Sequence, residues 1–324
     1  MADPPRYLVC ALYKFTPLAD PAAMRGPLLA TLRQNHVRGT LILAPEGING
    51  TLAGPPKHLE QVLAQLNADP RLAPIDCQRA WCETPPFNRA RVKLRREIVT
   101  MGIANIDPQQ ATGTHIDPAD WNALLADPDL TLIDTRNHYE VAIGSFKGAI
   151  NPRTKNFRDF PAFVAAHLDP RKHRKIAMFC TGGIRCEKST AYLKQQGFPT
   201  VHQLRGGILN YLARVPAKES KWQGECFVFD ERVAVNHRLE PGTHTQCHAC
   251  RHPLTENDRQ NPLYRRGISC PHCHGLHPPA RQASFAERAK QIRLARQRNE
   301  SHLGEEAANI MTERRNKKRQ RATN

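Results

Sequence analysis

A multidomain chain of mixed α/β and α+β class is predicted by three observations. Residues 7–99 carry apolar runs of strand and helix length in the order strand, helix, strand, strand, helix, strand. Residues 115–217 alternate short apolar runs with helical patterns, as a parallel sheet covered by helices requires. Beyond residue 218 two Cys-x2-Cys pairs take over from apolar periodicity. The 324 residues therefore divide into a ferredoxin-like (acylphosphatase-like) domain at 1–101, a linker at 102–114, a central α/β domain at 115–217, a four-cysteine module at 218–280 and a basic tail at 281–324.

In the first part, Tyr7–Phe15 reads as a strand and Asp20–Asn35 as a helix containing Pro27. Thr40–Leu43 is apolar, and Pro45–Gly50 turns the chain into Thr51–Ala53. The Glu46–Gly50 turn admits either a ligand site or a simple hairpin connection. Leu59, Val62, Leu63 and Leu66 fall at helical spacing, and Ile75–Trp81 and Arg91–Val99 close the sheet. Arg89, Arg91, Lys93, Arg95 and Arg96 form either a basic face for RNA backbone or a solvated edge.

Gly102–Thr114 is polar and contains Asp, Pro and Gly, as a linker does. Asp117-Pro118 opens a helix ending near Ala126, Leu130–Asp134 is a buried strand, and Phe160–His167 a helix. The apolar run Ile176–Phe179 leads into Cys180-Thr181-Gly182-Gly183-Ile184-Arg185, and a helical pattern follows to Gly197. Val201–Leu204 and the Gly206-Gly207 turn complete the alternation.

Cys180 thus stands where a strand gives way to a helix, the edge at which parallel sheets carry their ligand sites. Two glycines allow the loop to curl its N–H groups toward the sulfur, and Arg185 and the helix N-terminus also favour a thiolate. With four residues between Cys180 and Arg185, the loop is one short of the Cys-x5-Arg cradle that wraps a phosphate. Cys186 has two readings: a resolving thiol for an oxidised Cys180, or a small side chain packing helix on sheet. Glu187 and Lys188 form a surface ion pair or meet substrate phosphate.

Cys247, Cys250, Cys270 and Cys273 have the spacing of a closed, structural zinc site with no position left for water. His244, His248, His252, His272, His274 and His277 crowd the same region and either replace a ligand, line the knuckle surface or touch RNA. In the tail, twelve Lys/Arg stand against five Asp/Glu, and the segment is expected to be disordered or to become helical on RNA. The whole chain carries a formal net charge of +17, which points to a polyanionic partner, nucleic acid before membrane. Ten cysteines at this length do not demand disulfides. With neither a transmembrane run nor a secretory leader at Tyr7–Tyr13, the chain reads as cytoplasmic. It shows neither a dinucleotide-binding fingerprint for flavin or NAD nor a 2-His-1-carboxylate iron site.

Asp134-Thr135-Arg136, Glu140, Gly148–Asn151 and the six-residue Cys180–Arg185 loop together resemble a rhodanese domain. Residues 44–51, 180–189 and 224–233 (Gly224-Glu225-Cys226-Phe227-Val228-Phe229-Asp230-Glu231-Arg232-Val233) are similar to the rhodanese-like tRNA uridine(34) hydroxylases, a resemblance covering about 5–275. The resemblance implies an N-terminal ferredoxin-like domain, a central rhodanese α/β domain and a C-terminal zinc-knuckle module with a basic tail. It also implies oxygen-dependent conversion of the wobble uridine to 5-hydroxyuridine, with Cys180 as active-site cysteine, the anticodon stem-loop of tRNA as partner, molecular oxygen as co-substrate and a separate electron donor. Asp134 and Arg136 are structural in that family. Two other classes stand beside it: a sulfurtransferase carrying a persulfide on Cys180, and a non-catalytic RNA-binding protein on an idle rhodanese scaffold.

Overall fold

The computed structural model describes residues 6–75 and 77–298. The chain forms two compact units, one comprising the N-terminal part through Pro86 together with Ala90–Gly242, the other Phe87–Arg89 with the segment from Thr243.

The first unit opens with β1 (Tyr7–Phe15), α1 (Pro21–Gln34), β2 (Arg38–Ala44), β3 (Gly47–Gly54), α2 (Pro56–Asn67), β4 (Cys77–Cys82) and β5 (Ala90–Leu94). Their sheet has the order β4-β1-β3-β2-β5, the ferredoxin-like arrangement with one further parallel strand beside β2. Asp20 caps α1 by accepting from Ala23 N–H at 3.2 Å, and Pro27 is tolerated inside the helix because Leu28, Leu29 and Leu32 pack on the sheet. The turn foreseen over Pro45–Gly50 is shorter: only Pro45 and Glu46 lie between strands, and Gly47–Gly50 already pair with β1 and β2. A disulfide joins Cys10 of β1 to Cys77 of β4, although the cysteine count did not call for one.

The segment expected as a free linker is tied down. Gln109 donates to Phe15 O at 2.6 Å, Gly113 N–H donates to Thr190 Oγ1 at 2.9 Å, and the chain enters the next sheet as β6 (Thr114–Ile116). Then come α3 (Pro118–Leu124), β7 (Leu130–Asp134), α4 (His138–Val141), β8 (Gly144–Phe146), α5 (Phe160–His167), β9 (Lys175–Phe179), α6 (Ile184–Gln195), β10 (Thr200–Leu204) and α7 (Gly207–Arg214). The parallel sheet has the order β6-β10-β9-β7, with α6 leaving the carboxyl end of β9.

The boundary read at residue 218 lies farther on. β11 (Trp222–Gly224) pairs with β8, and β12 (Cys226–Phe227) forms a hairpin with β13 (Ala234–Val235). Trp222 is drawn in by apolar burial, joining a cluster in which Phe146 meets Tyr211, Phe179 and Trp222 edge-on at 4.8, 4.9 and 5.2 Å. Residues 218–242 therefore belong to the first unit, and the cysteine module begins at Thr243.

The second unit holds β14 (Thr245–Gln246), β15 (Pro253–Leu254), α8 (Glu256–Gln260) and α9 (Pro279–Gln297). The first half of the basic tail is thus a formed helix; it buries Phe285 between Arg281 and Arg288, whose guanidinium carbons lie 5.6 and 5.1 Å from the ring centre. The basic cluster Arg314–Arg321 lies outside the described residues. Among the described residues no helix is long and apolar enough to cross a membrane.

Candidate active site and metal centre

Cys180 directly follows β9 and Gly183 caps α6, so residues 180–183 are the whole connection between them. Gly183 sits at φ +100°, a conformation natural to glycine, and its N–H donates to Cys180 Sγ at 3.2 Å. A Cβ on Gly207, at the start of α7, would stand 2.5 Å from Cys180 O, so α7 is seated against the loop through a bare backbone. Ile208 and Leu209 N–H accordingly donate to the carbonyls of Cys180 and Thr181 at 2.9 and 3.0 Å.

The Cys180 side chain has no exposed surface. Burial alone would raise its pKa, but the neighbouring Cys186 thiol, the charge of Arg185 and the N–H groups of the first helical turn outweigh it, lowering the thiol to about 6. Cys186 moves the opposite way: burial and the adjacent Cys180 push its pKa well up, and Thr135 Oγ1 lies 3.7 Å from its sulfur. Cys180 is the thiolate and Cys186 the neutral thiol beside it.

Arg185 binds Glu140 through two hydrogen bonds of 2.7 and 2.8 Å and also donates to Thr181 Oγ1 at 3.3 Å. Burial would raise the Glu140 pKa, but Arg185 outweighs it and holds the carboxyl below its ordinary range. Asp134 and Arg136 form a second fully buried pair at 2.6 Å behind the loop, with the Arg136 guanidinium 5.1 Å from the Trp222 ring centre. They brace the scaffold away from the sulfur.

Of the two readings for Glu187 and Lys188, a surface ion pair or contact with substrate phosphate, the surface ion pair is not formed: both side chains are buried. Glu187, buried in the first turn of α6, accepts from Tyr13 Oη at 3.0 Å, Thr112 Oγ1 at 3.0 Å and Gln203 Nε2 at 3.1 Å, with His115 Nε2 at 2.9 Å. Burial would raise its pKa, but His115, Gln203 and Thr112 together hold it low, as a carboxylate. Tyr13 is kept neutral: burial, then the charge of Glu187, pushes its pKa well up. Lys188, 2% exposed, turns the other way and meets Glu46 at 2.8 Å and Glu97 at 2.6 Å. Tyr13 comes from β1 and reaches the loop so closely that a Cβ on Gly183 would stand 2.9 Å from its hydroxyl.

Beside this junction lies a cavity of about 530 Å3. Tyr13, Phe15 and Gln78 of the N-terminal sheet form one wall; Gly182, Glu187 and Asn210 form another; Lys14, Arg205 and Arg214 supply positive charge. Tyr13 and Phe15 were missed in the sequence because only strand alternation distinguishes them. The pairing of Tyr13 with Glu187 spans 174 positions and leaves no local signal.

In the second unit the sulfurs of Cys247, Cys250, Cys270 and Cys273 lie within 4.8 Å of one another and can hold a metal ion. Cys247–Cys273, Cys250–Cys270 and Cys270–Cys273 stand 3.9, 3.7 and 3.7 Å apart. A tetrahedron with Zn–S of about 2.3 Å has edges of about 3.8 Å, so the four-thiol donor set fits zinc. The histidines stand outside this set; His252 and His272 stack on each other with ring centres 3.8 Å apart, and His272 meets Asp258 at 3.3 Å.

A model of the UPF0176 acylphosphatase-like domain matches residues 7–98, and a rhodanese-like domain model matches 117–214. The chain is similar to the solved rhodanese-like domain of a protein from Anabaena sp., at 19% identity over 35% of this chain and 80% of that one, with a TM-score of 0.28. It is also similar to a rhodanese-related protein from Thermoplasma volcanium, at 24% identity over 32% of this chain and 93% of that one, with a TM-score of 0.27.

Proposed function

We propose that this chain, whose paired acylphosphatase-like and rhodanese-like domains are the architecture of the UPF0176 family, hydroxylates C5 of the wobble uridine of tRNA, using molecular oxygen and the Cys180 thiolate. The observation that carries this reading is the cavity shared by the two domains at the Cys180 loop. Its volume of about 530 Å3 suits one nucleotide, and Lys14, Arg205 and Arg214 offer charge for its phosphate. A wobble base is unpaired and can be splayed out of its loop into such a cavity, whereas a base held in a duplex cannot. A sulfurtransferase shares the six-residue loop; what favours the tRNA reading is the nucleotide-sized cavity with Lys14, Arg205 and Arg214 on its lining beside that loop.

Cys180 is fully buried and the Tyr13 hydroxyl lies against Gly183 of its loop, so in this reading the base enters the cavity and the Tyr13 ring gives way to admit it to the sulfur. Addition of the thiolate to C6 of uridine makes C5 the nucleophilic carbon of an enolate. C5 then bonds one atom of a dioxygen molecule. Two electrons and two protons from a separate donor reduce the other oxygen atom to water, and loss of the C5 proton expels the thiolate from C6. Glu187 lines the cavity as a carboxylate and serves as base for that proton. The four cysteines of the second unit hold a structural zinc ion, which braces that unit and takes no part in this chemistry.

Nucleoside mass spectrometry of tRNA from cells lacking the gene tests the reading directly. Loss of 5-hydroxyuridine, restored by the wild-type chain and not by Cys180→Ala, is expected. Unchanged 5-hydroxyuridine with a loss of thiolated uridine would instead establish the sulfurtransferase.

A further inference from the structure

Phe229 is 62% exposed and is the one exposed ring among the eleven phenylalanines, all of which lie within the described residues. Apolar side chains on both sides of it, Phe227, Val228 and Val233, are buried, so the exposure is local to this one position. The turn that carries it is firmly built. Val228 N–H donates to Val233 O at 2.9 Å, and Val233 N–H to Asp230 O at 3.0 Å. The Asp230 carboxylate accepts from Arg232 Nε at 2.9 Å and Nη2 at 2.6 Å. Val233 is held at φ +66°, which a β-branched residue adopts only under constraint. Glu231 N–H pins the turn to Pro86 O at 3.0 Å. The Phe229 ring stands edge-on to Phe227 at 5.1 Å and 6.0 Å from the guanidinium carbon of Arg185, in the first turn of α6.

A rigid turn that holds an aromatic ring in water at the rim of a reactive loop forgoes the burial that apolar rings ordinarily gain. We propose that Phe229 is a stacking platform for an unpaired nucleobase of the RNA substrate, and hence a substrate-positioning residue. This rests on the RNA reading above. The chemistry favours a nucleobase over a peptide side chain because the chain carries a formal net charge of +17, the exposed ring stands 6.0 Å from the Arg185 guanidinium carbon beside the reactive loop, and base–aromatic stacking tolerates any sequence.

The test uses the full chain at fixed salt with two probes: an RNA stem-loop bearing uridine at the first anticodon position, and a blunt RNA duplex of equal length. Stacking is worth about 1–3 kcal/mol per base, so Phe229→Ala and Phe229→Leu should each weaken stem-loop binding about 5- to 150-fold. KM should rise with kcat little changed, and duplex binding should not move. Tryptophan emission of Phe229→Trp should be quenched by the stem-loop beyond the change seen with wild type, which carries Trp81, Trp121 and Trp222. Stem-loop binding by Phe229→Leu equal to wild type, or emission of the Phe229→Trp variant unmoved at saturation, overturns the platform and leaves the RNA reading intact. Wild-type chain that binds the loop no better than the duplex overturns both.

Discussion

At the scale of single residues, the reactivity of Cys180 is a balance between burial, which opposes charge, and the Arg185 charge, the Cys186 thiol and first-turn N–H groups, which favour it. The second set wins, and the sign is testable. Below pH 6 the thiol is protonated and slow; above it the thiolate reacts, so iodoacetamide labelling of Cys180, followed by peptide mass spectrometry, should reach half its plateau rate near pH 6. A midpoint near the ordinary thiol range would refute the assignment. Arg185→Gln should shift that midpoint upward. It should also cost about 3–5 kcal/mol of stability, because it leaves Glu140 as an uncompensated buried carboxylate; adding Glu140→Gln should recover a large part. Much of this was readable in the sequence, since Cys180, both glycines and Arg185 are within six consecutive residues. Tyr13, Glu140 and His115 were not readable as partners, because nothing local records which distant side chain a buried charge will meet.

Among the elements, α6 departs most from what its sequence suggests. Glu187-Lys188 reads as a polar, solvent-facing step, yet Arg185 through Ala191 are all buried. The helix is enclosed: β9 and β10 lie on one side, the 97–113 segment and the N-terminal sheet on others, so its charges must find partners inside. Lys188 does so with Glu46 and Glu97, which belong to the first sheet's hairpin and the segment after β5. Lys188→Met should therefore lower stability by about 2 kcal/mol, less than a wholly buried pair because both carboxylates keep some solvent. Combining it with Glu46→Gln and Glu97→Gln should restore most of the melting temperature lost. A single variant that melts like wild type would show that the triad contributes nothing. Strands β1, β2, β7, β9 and β10 were legible from apolar runs alone. β6 and β11 were not, being three-residue strands whose pairing depends on partners far along the chain.

For the whole molecule, the two units keep their shape by different means. The first has three apolar clusters, built on Leu41 and Leu43, on Phe146 and Phe179, and on Met178 and Phe160. The second has one small cluster in which Cys247, Cys270 and Cys273 are themselves the buried members with Leu254, and beside it a helix that buries only Phe285 and Ala295. Apolar burial on that scale is small beside the ordering of some fifty residues, so we predict that a metal ion on the four cysteines supplies the difference. Chelation should thus abolish hydrogen-exchange protection at the amides of Cys247, Arg251 and Cys273, which are hydrogen-bonded within the cluster, while amides of β9 and β10 keep theirs. The metal lost should be zinc at one ion per chain by elemental analysis. Because the ligands bind as thiolates, loss should also begin on acidification, as protons compete for the sulfurs, before the first unit unfolds. Cys270→Ser should reproduce the chelated pattern in a chain whose Cys180 still alkylates with a midpoint near pH 6. Protection around Cys247 that survives complete removal of metal would mean that the second unit folds on its side chains alone, and the four-cysteine cluster would then need another explanation.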